Sequence, residues 1–154
     1  PTLWASCDAS PQYGMLRTAI VRSLVKLVEA LGTDSVQLLP LLCPVIHQSV
    51  DIAQEHHVYL LEDGLSLWHT TLQHTPVMTD EFMQLFQFVL PLLERGDHSV
   101  RNCIQIIESY VLLGGVAFLQ GYGAALTHVL ATLVTAMPPD GIDVMSRFFR
   151  SWAN

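Results

Sequence analysis

The run YVLLGGVAFLQGYGAALTHVLATLVTAMPP, residues 110–139, contains no Asp, Glu, Lys or Arg. It is long enough to cross a bilayer, so its reading decides between a membrane anchor and a helix buried in a soluble protein. A span takes about 20 mostly apolar residues, and 116–137 meets that length. Its Leu, Val and Phe residues together favour insertion by only about 4 kcal/mol. Gln120, His128, three threonines and two glycines oppose that gain. The sorting of side chains points the same way. At about 100° per residue, Gln120, Gly121, Ala124, Thr127, His128, Ala131, Thr132 and Thr135 share one arc. Phe118, Leu119, Tyr122, Leu126, Val129, Leu130, Leu133, Val134 and Met137 fill the other side. Lipid has no use for such sorting, whereas a helix covered on most sides by protein, with one weakly polar edge in water, does. Gly114-Gly115 breaks the run, so its first third belongs to a different helix. Neither end carries a basic cluster to set an orientation. The reading is a buried helix and no membrane partner.

Composition agrees. Hydrophobic residues make up 51% of the 154 and charged residues only 14%, which excludes disorder and provides for one sizeable core. The net charge is −7, with Lys26 the only lysine, which argues against a nucleic-acid partner and favours basic protein partners. Cys7, Cys43 and Cys103 are odd in number and lack any disulfide or metal spacing, as in a reducing compartment. No signal segment opens the chain, and Pro1 in place of Met suggests a piece of something longer.

Helical period runs throughout, and no alternation lasts long enough for a strand. Seven helices are expected. The first, 13–31, stops at Gly32. Thr33-Asp34 opens the second, to about 50. The third covers 56–74, before Pro76. Thr79, followed by Asp80 and Glu81, caps the fourth, which ends at Gly96 after Arg95. The fifth covers 97–113, the opening run supplies the sixth, and 140–152 is the seventh. Short connections make neighbours antiparallel. Val58, Leu61, Leu65 and Trp68 recur as Val100, Cys103, Ile107 and Tyr110. The helix before each set ends in LPLL, at 39–42 and 90–93. A period near 40 residues is that of a two-helix solenoid unit, with Pro40, Pro44 and Pro91 bending the first helix of a pair. The fold class is therefore all-α, an α-solenoid of about three and a half antiparallel helix pairs, HEAT-like. The pairs are 34–74, 79–113 and 115–152, preceded by a lone helix 13–31. In such a stack a helix is sheltered by the repeats on both sides and loses its charge without entering a membrane.

The segment HVYLLEDGLSLW, residues 57–68, resembles the importin-β (karyopherin-β) family of nuclear transport receptors. MLRTAIVRSLVKLVEALGTDS, LLPLLCPVIHQSVD and YVLLGGVAFLQGY are similar to the same family in register, so the resemblance covers nearly all of the chain. It implies HEAT repeats from the C-terminal half of a longer receptor that shuttles between cytoplasm and nucleus. It also implies protein cargo on the concave surface, and contacts with Ran GTPase and nucleoporins made by the full-length receptor. A scaffold solenoid in another intracellular assembly fits the helix pairs equally well.

The resemblance implies that the second helix of each pair lines the concave side, and the helical wheels give its exposed residues. The first helix presents Arg22, Lys26 and Glu29. The third presents Tyr59, Glu62, Ser66, His69 and Gln73. The fifth presents Arg101, Gln105 and Glu108, and the last Asp143, Arg147 and Arg150. Mixed charges of this kind suit a complementary partner, or form a solvated face. Glu62-Asp63 is not a catalytic pair, because neighbours on a helix diverge by about 100°. Glu55-His56-His57 lacks a third ligand at helical spacing. No phosphate loop, nucleophile elbow or Cys–His pair is present. No catalytic residue, metal or cofactor is expected. Gly64 signals close packing between paired helices, and Trp68, Tyr110, Phe148 and Trp152 signal packing rather than binding.

Overall fold

A computed structural model describes residues 12–54, 57–96 and 99–136. The expected seventh helix, with Asp143, Arg147, Phe148, Arg150 and Trp152, lies outside these residues, as do Cys7, Glu55 and His56.

Helices account for the architecture, and no strand occurs among the described residues. α1 spans Gln12–Leu31 and stops at Gly32, which takes a positive φ of 56°. A 3-10 segment, Gly32–Leu38, leads into α2, Leu39–Val50. α3 spans His57–His74. Then α4, Asp80–Leu85, passes through a 3-10 turn, Phe86–Phe88, into α5, Val89–Arg95. The remaining helical run, Val100–Ala136, is broken at Gly115 (φ 50°, ψ −133°) into α6 (100–114) and α7 (116–136).

The contacts are those of stacked pairs. α3 packs on its own partner α2 and also on α1 before it and on the 100–136 run after it, while α5 packs on that last run. This is an all-α helical-repeat solenoid, with α1, α3 and α6 in one layer and α2, α4 and α5 in the other. Gly64 shows how close a pair comes. A Cβ at that position would lie 2.5 Å from Ser49 Cβ and 3.3 Å from Val50 Cγ1, so only hydrogen lets α2 and α3 approach.

Several helix ends follow directly from sequence. Thr79 is extended and its hydroxyl accepts from the Phe82 N–H at 3.4 Å, satisfying one of the free donors of a helix start. The Glu81 carboxyl is held below its ordinary range, first by its own backbone N–H and then by Thr79. Gly96 ends α5 in the left-handed conformation, with its N–H on the Leu93 carbonyl.

Other expectations change. Thr33-Asp34 does not cap an α-helix, because residues 32–38 form a 3-10 segment whose N-cap makes no side-chain bond. Pro40 has no N–H to offer the Val36 carbonyl, and the Leu39 N–H bonds it instead. Pro40 therefore opens α2, and only Pro44 lies inside it. The expected continuous helix from 79 to 95 is interrupted at Phe86–Phe88, upstream of Pro91. Both LPLL sequences enter a helix just after a 3-10 segment. The first helix runs on to Val50, whereas the second stops at Arg95.

The opening run divides into two fates. α6 is core, with Val100, Cys103, Ile104, Ile106, Ile107 and Tyr110 all buried. α7 is covered along one side, by way of Phe118, Leu126, Val129 and Leu133. The whole weakly polar arc from Gln120 to Thr135 is exposed, as its periodicity predicts. Val116 and Leu119, at 70% and 47% exposure, depart from the expectation of a helix sheltered on most sides. The run Val100–Thr135 is apolar and long enough to cross a membrane by composition alone, but the break at Gly115 and the packing of α6 make it two repeat helices.

Candidate partner-binding surface

Positioning of this surface begins in the core beneath it. Trp68 on α3 and Tyr110 on α6 are fully buried, with rings 5.9 Å apart at 85°. Trp68 Nε1–H donates to the Tyr110 hydroxyl at 3.2 Å, and that hydroxyl donates to the Phe82 carbonyl on α4. A parallel tie joins the Tyr122 hydroxyl on α7 to the Met83 carbonyl at 3.0 Å. Both carbonyls lie just before the helix tightens into its 3-10 turn. Phe86 and Phe118 fill the space between, with ring centroids 4.6 Å apart, inside the range where edge-to-face pairs are favourable. Burial is the leading cause that raises the Tyr110 phenol well above its ordinary range and pushes the Cys43 thiol up to about 11. Both groups stay protonated and neutral near pH 7, which suits packing and not nucleophilic chemistry.

Above that core, α1, α3 and α6 place most of the expected residues on one layer. Arg22, Lys26 and Glu29 on α1 are exposed, as are Tyr59, Glu62, Ser66 and Gln73 on α3 and Arg101 on α6. His69, Gln105 and Glu108 are half-buried, turned toward the seam between α3 and α6. Burial lowers the His69 pKa and the Glu108 carboxylate opposes that shift, which fits their positions on facing helices. The seam between α1 and α3 is spanned by Arg22 Nε, donating to Asp63 Oδ1 at 2.8 Å. That bond raises the Arg22 pKa further. Lys26 pairs along its own helix with Glu29 at 2.7 Å.

Glu62 and Asp63 are neighbours in sequence, and helical divergence already excludes them as a catalytic pair. The structure separates them. Glu62 faces solvent, and Asp63 turns to α1 with its side chain 19% exposed. The 100° between neighbours already implied divergence, but the partner of Asp63 lies 41 residues away and no local signal marks it. The two cross-ties, Arg22–Asp63 and Trp68–Tyr110, step 41 and 42 residues, so successive helices of this layer keep nearly one register. Exposed apolar residues were also missed. Met15, Val58 and Leu112 are 78%, 70% and 77% exposed. Val58 in particular was matched to buried Val100 by the repeat, yet it is exposed in the first turn of α3.

Among the described residues no cluster of three His, Cys, Asp or Glu side chains could hold a metal. What the layer offers is mixed charge, partly paired, around an exposed tyrosine. Tyr and Arg are the side chains most enriched where proteins bind one another.

Comparison with known proteins adds an independent line. The family whose profile matches is described as Importin-11-like, TPR repeats, over residues 18–151. Importin-11 of Mus musculus and importin-11 of Homo sapiens are each 43% identical over 141 residues, which is 92% of this chain and 14% of theirs. The importin beta-like protein KAP120 of Saccharomyces cerevisiae is 29% identical over 117 residues, 73% of this chain and 11% of its own. The chain thus spans about a seventh of the length of the curated relatives it matches. No solved structure matches it. The register of 42 residues across the α3–α6 seam exceeds the 34 of a tetratricopeptide unit and falls in the range of HEAT-type pairs.

Proposed function

The chain belongs to the importin-11-like family of helical-repeat proteins, and on that premise we propose that it is a segment of a nuclear import receptor. In this reading the full-length receptor is a Ran-regulated carrier of protein cargo that shuttles between cytoplasm and nucleus. The segment binds and scaffolds and does no catalysis. The observation that supports this most is the 43% identity to importin-11 sustained over 92% of the chain.

The repeat units are the pairs 34–74, 79–113 and 115–152, preceded by the lone helix 13–31. The layer of α1, α3 and α6 is the concave, cargo-facing side. Its contact residues are Arg22, Lys26 and Glu29 on α1, Tyr59, Glu62, Ser66 and His69 on α3, and Arg101, Gln105 and Glu108 on α6; Arg147 and Arg150, expected from the sequence to join them, lie outside the described residues. Complementary charge sets the orientation and speed of docking more than its strength, and Tyr59 supplies a rigid anchor at low entropic cost. Ran and nucleoporins engage the full-length receptor.

The test is a pull-down of cargo by the full-length receptor, with and without GTP-loaded Ran. The unaltered receptor releases cargo when Ran-GTP is added. The variants R22E/K26E and Y59A bind cargo less well and keep their affinity for Ran. Cargo that stays bound whatever the state of Ran contradicts an import receptor. Cargo binding untouched by the variants contradicts this surface.

A further inference from the structure

We draw no further inference here: the strongest candidate, the exposed small-residue face of α7 that runs from Ala117 through Gly121, Ala124 and Ala131 to Thr135, is an unpartnered helix surface, and nothing in the structure shows what covers it.

Discussion

The seam between α3 and α6 and the seam between α1 and α3 solve one problem by different chemistry. Each joins a repeat helix to its successor at a step of 41 or 42 residues. The α3–α6 seam is aromatic at its centre, where a buried relay runs from Trp68 through Tyr110 to the Phe82 carbonyl. The α1–α3 seam has an aliphatic interior, with Val21 and Val28 buried and Leu24 and Val25 packed beside them. Its polar tie, Arg22–Asp63, lies at the surface with the arginine 69% exposed. A buried hydrogen-bond relay fixes geometry because breaking it strands polar groups away from water. An exposed ion pair is replaced by water at little cost and is screened by salt. The first seam therefore carries stability, and the second leaves its charges available to a partner.

The largest effect that tests this contrast comes from Trp68→Ala. Removing the buried ring from the α3–α6 seam costs about 4 kcal/mol, read as a fall in the denaturant midpoint of the 154-residue chain at unchanged slope. Tyr110→Phe keeps the ring and deletes the hydroxyl, so Trp68 N–H and the Phe82 carbonyl both lose a partner. The expected loss is about 2–3 kcal/mol by the same measurement. A neutral result would place the strength of that seam in its apolar area alone.

Alkaline pH probes the same core with a smaller effect. The Cys43 pKa is raised in the folded state, to about 11, so the fold favours the protonated thiol. Its contribution is complete below the ordinary thiol range, falls as pH rises through it, and is gone by about pH 11. The loss is of order 2 kcal/mol, and Cys43→Ala lessens it. Unfolding midpoints followed from pH 8 to 11 in both proteins check the sign, and a rise in stability over that window would contradict it. Smallest of all is Arg22→Ala at the other seam. The unfolding midpoint shifts slightly at low salt and not measurably in 1 M salt. A large, salt-independent loss would make the two seams alike.

Much of the fold was legible because it is written in local chemistry. Gly32, Gly96 and Gly115 each mark a stop and each takes a positive φ. Thr79 caps a helix as its hydroxyl permits. The polar arc of α7 was found residue by residue, since helical period alone decides which side chains share an edge. Gly64 announced the close approach of α2 and α3. What escaped depends on neighbours. The shared LPLL tetrapeptide enters a helix after a 3-10 segment in both places, yet the first helix continues to Val50 and the second stops at Arg95, a difference set outside the tetrapeptide. Val58 carries the repeat pattern and is nonetheless exposed. The surface was legible as exposed positions, whereas the pairing of Arg22 with Asp63 required the fold to bring residues 41 apart together. The burial of α7 along one side only could not be read from a stretch whose composition suits a fully covered helix equally well.

The most direct measurement is a double-mutant cycle on Trp68→Phe and Tyr110→Phe, read by equilibrium unfolding. If a buried relay locks successive repeat helices together, the two losses are non-additive, with a coupling of about 1 kcal/mol or more. Losses that add within error would mean that the α3–α6 seam is held by apolar contact alone, and would remove the distinction between the two seams.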